Sequence, residues 1–450
     1  MCGIFATTND PDSAQTILTG LKKLEYRGYD SWGIAVKGRS RLRSQKQVGK
    51  ISVSKTSLPQ SKMGIGHTRW ATHGGVTVPN AHPHFDCSGK LALIHNGIVD
   101  NYENLSQKIK GHQLLGQTDS EIIVHLIEKE LKTENDLMKA VKKVAKLAAG
   151  FNAFVVMHQD YPYLVAAKTG SPLVIGLGEK GNLLSSDVAS LLSFTRRVIF
   201  LEDRQITKIA PNEVRIENYA SAKEVKPVIQ VIDWTAKSAA KTGFPHFMLK
   251  EIYDQPAVLT KIAESKVKEA RQLAGAIAKA KNVFAVACGT ASYAALAGQY
   301  LFARIAGQQV IPAIGSEFYY YGGAIGGKSL CLALSQSGET IDTLQSVSFA
   351  KDHGAKVISL VNVRGSSLDR LSDQTIYLEA GPEKAVASTK AFSAKVALLL
   401  LTASALTRKT PRAVIEIKQA VRAIRKILSP GYQKYLKKLA EKFKHASSMF

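Results

Sequence analysis

Through the first 220 residues the apolar positions come in short bursts of four to seven, broken by glycine, asparagine and charged residues. "MGIGHTRW" (63–70) and "LALIHNGI" (91–98) read as strands, and so do "AFVVMHQ", "YLVAAK" and "PLVIGLG" further on. Between these sets the period changes. "TDSEIIVHLIEKELK" carries apolar residues at helical spacing behind a capping pair, Thr118 and Glu121, and "ENDLMKAVKKVAKLAAG" predicts a second helix. Helices flanking runs of mainly antiparallel strands predict a layered α+β sandwich for residues 1–220.

After a connecting stretch (221–268) that contains "KTGFPHFMLKEIYDQP", the rhythm becomes regular. Strand "NVFAVA", a helix from 291, strand "QVIPAI", a helix, strand "SLCLALS", a helix from 340, strands "KVISLV" and "TIYLEA", and a helix over 388–406 follow in turn. The strands are continuous apolar runs, as required when both faces of a parallel sheet are covered. That predicts a doubly wound α/β domain over 269–408, with ligands at the carboxyl ends of its strands. Residues 409–450 form a basic helical tail in which Val414, Ile417, Val421, Ile424 and Leu428 keep helical spacing.

Composition narrows the class. The 450 residues are 45% hydrophobic and 21% charged, which is globular, and no leader-like run precedes Gly3. "VALLLLTASAL" is too short to cross a bilayer, so no membrane partner is expected. Four cysteines without CxxC spacing argue against a disulfide framework or zinc ribbon and for a cytoplasmic protein. The formal net charge of +24 attracts anions, but residues 408–450 alone hold twelve Lys or Arg against two Glu. A solvated basic helix face accounts for them, and with no nucleic-acid motif beside the charge no nucleic-acid partner is expected.

Cys2 is the first candidate for chemistry. With Met1 removed it would carry a thiol and a free α-amine, a nucleophile next to its own base. The plainer reading of a single cysteine is a small buried hydrophobe. Arg69 and Asp119 could equally be surface charges, and Trp32 and Trp70 core aromatics. His67, His73, His82, His84 and Cys87 could form a metal site, but "HPHFDC" lacks two paired ligand spacings, and no metal or other cofactor is expected. In the second domain "LALSQSGETIDTL" (332–344) joins a buried strand to a helix start through a hydroxyl-rich loop, a shape suited to a phosphate dianion, although serine-rich loops also cap helices.

Taken in order, "MCGIFA", "LEYRGYDSWGIAV", "GIGHTRWATHG", "NAHPH", "HNGIVDNYENL" and "TDSE" resemble the N-terminal-nucleophile glutamine amidotransferases, most closely those that build amino-sugar phosphates. The resemblance implies an αββα sandwich that hydrolyses glutamine. Cys2 would attack the side-chain amide, with Asn96 and the Gly97 N–H as oxyanion hole and Arg27 near the nucleophile. Arg69 would hold the substrate α-carboxylate and Asp119 its α-ammonium, with Trp70, Thr72, His73 and His82 around them. "ACGTAS", "SQSGET" and "VASTKAF" resemble the sugar isomerase (SIS) domain, which implies Thr290, Ser335, Gln336, Ser337, Thr340, Val386 and Ser388 around fructose 6-phosphate. Relatives read CGTSY where Ala291 intervenes here, which leaves the sugar-facing hydroxyl open between Thr290 and Ser292.

Together the two resemblances imply glutamine-dependent amination and isomerisation of fructose 6-phosphate to glucosamine 6-phosphate in a homodimer. Such relatives carry a second SIS domain, and this sequence stops at "FKHASSMF", where that domain would begin. The alternative expectation is therefore an uncoupled glutaminase or phosphosugar-binding module that needs another chain to supply the missing half.

Overall fold

The computed structural model describes residues 2–232 and 241–448. Two units, Met1–Ala236 and Lys237–Phe450, each close around their own core. The division falls inside the stretch read as connecting, of which residues 233–240 lie outside the described residues.

In the first unit, Gly3–Thr8 lies inside an eight-stranded antiparallel sheet, between Met63–Arg69 and Asn182–Ser185. A seven-stranded sheet faces it, with Leu91–Gly97 between His84–Phe85 and Asn152–His158. Alternation of side chains explains why these strands read as unbroken apolar runs. Ile4 and Ala6 meet Ala92 and Ile94 in the core between the sheets, while Leu91 and Leu93 point the other way, onto Ile123, Ile127 and Val141 of two helices. Those helices, Asp119–Glu134 and Leu137–Leu147, cover one sheet, and Ser13–Leu24 packs on Gly3–Thr8 and Met63–Arg69 of the other. The result is the expected αββα sandwich.

The second unit holds a five-stranded parallel sheet ordered Ile311–Ile314, Asn282–Ala287, Ser329–Leu334, Lys356–Val361, Gln374–Tyr377. Val283, Ala285, Leu330 and Leu332 enter one core, and Phe284, Val286, Cys331 and Ala333 enter another on the opposite face. This is the doubly wound architecture the pattern predicts. Relative to chain order the strands run 2-1-3-4-5, so the connections diverge between Asn282–Ala287 and Ser329–Leu334, where a crevice for ligands is expected.

Some elements differ from the sequence reading. Between Ile311–Ile314 and Ser329–Leu334 the chain forms a 3-10 helix, Gly315–Ala324, in place of an α-helix. Phe247–Ser265, inside the stretch read as connecting, packs against Lys390–Leu406 and adds Leu259 and Ile262 to the core. In the basic tail, Thr410–Ile427 is anchored by Ala413, Ile417 and Val421, whereas Pro430–Phe443 buries no residue. Among the described residues no helix is long and apolar enough to cross a membrane.

Candidate functional site

Cys2 immediately precedes the strand Gly3–Thr8, whose partner Met63–Arg69 ends beside it because Gly3 pairs with Thr68. The half-buried thiol accepts the Trp70 N–H at 3.3 Å and lies 3.6 Å from the Trp70 carbonyl. Burial pushes the thiol above its ordinary pKa; the Trp70 N–H and the Arg69 charge pull against that, and Asp119 adds to it. At neutral pH such a sulfur is protonated and needs a base before it can attack.

Asn96, from the end of Leu91–Gly97, reaches across to this point. Its Nδ2 donates to the Cys2 carbonyl at 3.1 Å, and its Oδ1 lies 3.1 Å from His67 Nε2. A carbonyl only accepts, so the amide nitrogen must face Cys2 and His67 must donate to the amide oxygen. Burial drives His67 down to about 3, which keeps the ring neutral. Gly97 follows with φ 138°, and a Cβ there would stand 1.9 Å from the Phe151 carbonyl, so only glycine fits.

Asp119 opens its helix and is 5% exposed. One carboxylate oxygen takes the Val99 N–H at 2.8 Å and the other the Ser120 N–H at 2.9 Å, which ties the turn after Gly97 to the helix start. Arg69 donates to the carbonyls of Gly75 at 3.0 Å, Gly74 at 3.2 Å and His73, and so shapes the loop that follows Trp70. In that loop Thr72 is exposed and the His73 ring lies 5.4 Å from that of Tyr102. Trp70 is 39% exposed and leans on Tyr29, ring centroids 5.3 Å apart.

Two predicted residues lie deeper. His82 stacks between His67 and His84, at 4.1 and 4.6 Å, and burial holds it well below its usual pKa. Arg27 pairs with Asp187 at 2.9 Å and with Tyr26 at 3.2 Å. Its polar contacts are with these two, in a buried knot that fixes the turn at 25–27 to the segment after Asn182–Ser185. Asp187 is not singled out by the sequence, and His67 stands there only as a possible metal ligand, not as the partner of Asn96. Neither has a local motif, since each is defined by a partner at least 29 residues away.

In the second unit two of the SIS-like segments meet at the carboxyl edge of the sheet. Thr290 begins the helix after Asn282–Ala287, and Ser335–Thr340 follow the adjacent strand Ser329–Leu334, on either side of the topological switch. Cys288 Sγ lies 3.5 Å from Thr343 Oγ1 and joins the two segments. Ser335 Oγ accepts the Gly338 N–H at 2.9 Å and lies 3.4 Å from Thr340 Oγ1, while Ser337 Oγ accepts the Glu339 N–H at 3.1 Å. Gly338 has φ 70°, and a Cβ there would collide with Ser366 Oγ at 2.1 Å. Ser292 donates its hydroxyl to the Gly289 carbonyl at 2.7 Å, whereas the Thr290 hydroxyl has no partner among the described residues. Ser388 donates to Glu383 at 2.8 Å, and Val386 is 83% exposed. Gln336 is partly buried on the same loop.

Comparison with known proteins gives matches to both units. A family model described as glutamine amidotransferase domain matches residues 68–193, and one described as SIS domain matches 276–405. The glutamine–fructose-6-phosphate aminotransferase [isomerizing] of Thermus thermophilus is 42% identical over 439 residues, which is 95% of this chain and 72% of the relative. Its counterpart in Thermotoga maritima is 42% identical over 416 residues, 89% of this chain and 68% of that one. Among solved structures, glutamine phosphoribosylpyrophosphate amidotransferase from B. subtilis, complexed with ADP and GMP, is 20% identical with a TM-score of 0.45, covering 80% of this chain and 81% of its own.

Proposed function

The chain belongs to the glutamine–fructose-6-phosphate aminotransferase (isomerising) family, and from that premise we infer that it moves the amide nitrogen of glutamine onto fructose 6-phosphate to give glucosamine 6-phosphate. The first unit releases the nitrogen and the second binds the sugar phosphate.

The observation that carries this reading is the placement of Asn96. Its amide nitrogen donates to the Cys2 carbonyl, beside the thiol, which supports a role as a donor to a carbonyl oxygen under attack. Met1 lies outside the described residues. With it removed, the α-amine of Cys2, whose ordinary pKa is about 7.7–8.0, takes the proton from the thiol. Sulfur bonds to the side-chain carbonyl carbon of glutamine, and Asn96 with the Gly97 N–H holds the oxyanion. On collapse the carbon–nitrogen bond breaks, the leaving nitrogen takes the proton from the α-amine, and ammonia departs. Water then hydrolyses the thioester, releasing glutamate and restoring the thiol.

For the glutamine itself, Arg69 supplies the cation for the α-carboxylate and Asp119 the anion for the α-ammonium. Trp70, Thr72, His73 and His82 shape their surroundings. In the second unit the Ser335–Thr340 loop and the helix start behind it suit a dianionic phosphate, with Thr290 and Ser388 toward the sugar. A homodimer is part of this proposal. So is a cytoplasmic location, which the four unpaired cysteines support.

The test is incubation of the purified chain with glutamine and fructose 6-phosphate, measuring glutamate and glucosamine 6-phosphate separately, beside Cys2→Ala. Both products from the parent chain and neither from the variant is the expected result. Glutamate alone would place the chain in the uncoupled class, and no glutamate at all would remove the glutaminase reading. Sedimentation of the same preparation tests the dimer, and intact mass tests removal of Met1.

A further inference from the structure

On the first unit, away from the residues assigned to glutamine, four side chains from three segments converge. Cys87 sits in the hairpin between His84–Phe85 and Leu91–Gly97, His112 in the loop before the helix Asp119–Glu134, and His125 and Glu128 on that helix. Their donor atoms all lie within 4.8 Å of one another, and among the described residues this is the group of metal-ligating side chains gathered so closely.

The separations have the shape of a coordination polyhedron. Cys87 Sγ is 3.6 Å from Nδ1 of His112 and 3.6 Å from Nδ1 of His125. A tetrahedral zinc ion with Zn–S near 2.3 Å and Zn–N near 2.05 Å places sulfur and nitrogen about 3.6 Å apart. Glu128 Oε2 closes the figure at 3.0 Å from His112 Nδ1 and 3.1 Å from His125 Nδ1, slightly inside the edge of about 3.3 Å that equal bonds would give. The same oxygen also accepts the Cys87 N–H at 3.2 Å, while Lys132 approaches the other carboxylate oxygen at 3.7 Å. His125 and Glu128 are buried, so two of the four ligands are held in place by the fold.

We propose that Cys87, His112, His125 and Glu128 bind a zinc ion that staples the hairpin and the preceding loop to the helix carrying Asp119. One thiolate and one carboxylate cancel the charge of a divalent cation, and the thiol proton is released to solvent on binding. Sulfur and imidazole ligands select zinc over magnesium or calcium. Four protein ligands leave no open position for substrate, so the ion is structural.

The spacing of these residues, 25, 13 and 3 apart, hides them from a search for paired ligands. Sequence proximity groups Cys87 with His82 and His84, but in the fold it lies beside His112 and His125. His82 and His84 stack with His67 in the core, and Cys87 turns to the helix.

The full chain, stripped with a chelator, is titrated with cobalt(II) and separately with zinc, in the parent and in Cys2→Ala, Cys87→Ser and His112→Gln. The parent and Cys2→Ala are expected to take up about one equivalent of zinc and to show a thiolate-to-cobalt charge-transfer band with intense visible bands of tetrahedral cobalt. Cys87→Ser, conservative at an exposed position, should lose the charge-transfer band and weaken zinc binding by more than the roughly 10–100-fold that an outer-shell change costs. His112→Gln should weaken it likewise. Zinc should also slow alkylation of Cys87, located by peptide mass spectrometry. Stoichiometric zinc retained in Cys87→Ser, binding that disappears in Cys2→Ala, or no uptake by the parent would each overturn the site.

Discussion

Asn96 Oδ1 lies 3.1 Å from Nε2 of a neutral, buried His67, which completes an orientation already set by the Cys2 carbonyl that accepts the Asn96 amide nitrogen. The proposed oxyanion donor thus has two partners, His67 and the Cys2 carbonyl. Asn96→Ala should lower glutamine turnover about 100-fold or more, the usual cost of one oxyanion donor, with little change in KM. His67→Ala should lower kcat by a smaller factor, because the amide then keeps only the Cys2 carbonyl to orient it. Steady-state glutamate release separates the two, and an Asn96→Ala enzyme within threefold of the parent would remove the assignment.

At the start of the helix Thr290–Ala306 the structure distinguishes two neighbouring hydroxyls. Ser292 spends its proton on the Gly289 carbonyl, and Thr290 has no partner among the described residues. Thr290→Val should weaken fructose 6-phosphate binding by about tenfold or more, the value of a hydrogen bond to a charged or strongly polar group. Ser292→Ala should leave the affinity nearly unchanged. Calorimetric titration of both variants checks the order, and the reverse order would hand the role to Ser292.

The strands and helices that were legible in the sequence are those whose pattern is local. The sequence predicts a capping pair at Thr118 and Glu121, and Thr118 Oγ1 does accept the Glu121 N–H at 3.3 Å. Glu121, however, accepts from Leu115 and Gly116, both at 2.7 Å, because the preceding loop folds back over the helix start. Gly3–Thr8 carries no strand signature in its sequence, since GIFATT shows neither alternation nor a continuous apolar run, although it is buried on both faces. The Arg27–Asp187 pair and the Cys87 cluster depend on chain segments that meet only in the folded protein. The hydroxyl-rich loop, by contrast, is a single continuous segment, and Ser335–Thr340 occupies the strand-to-helix turn its sequence implies.

Lys395 lies fully inside the second unit, on Lys390–Leu406, with the Ala391 carbonyl at 3.4 Å from its Nζ. Burial pushes its ammonium down to about 8. Relative to an unfolded lysine near 10.4, the folded state therefore binds fewer protons between about pH 8 and 10.4, and stability rises with pH across that window. Below it the buried charge costs about 3 kcal/mol. Lys395→Met, similar in length, should raise the unfolding temperature of the second unit at pH 7, and the advantage should shrink as the pH climbs through 8 to 10. Scanning calorimetry at pH 7 and pH 10 measures the difference; an equal effect at both would mean the ammonium is not desolvated.

Arg69 serves the loop and, as proposed, the substrate with one guanidinium. Three carbonyls, those of His73, Gly74 and Gly75, already accept from it, and Asn80 Nδ2 shares the Gly75 oxygen at 3.0 Å. A lysine keeps the positive charge but lacks the planar fork, so it cannot hold the loop and a carboxylate together. Arg69→Lys should therefore raise the KM for glutamine by about 10–100-fold, equivalent to one charge-assisted hydrogen bond, with a smaller fall in kcat. The second consequence needs no substrate. Amide hydrogen exchange over residues 73–80 should quicken in the variant, because the carbonyls that anchored the loop have lost their donors. A raised KM without faster exchange would confine Arg69 to the substrate, and faster exchange with an unchanged KM would confine it to the loop.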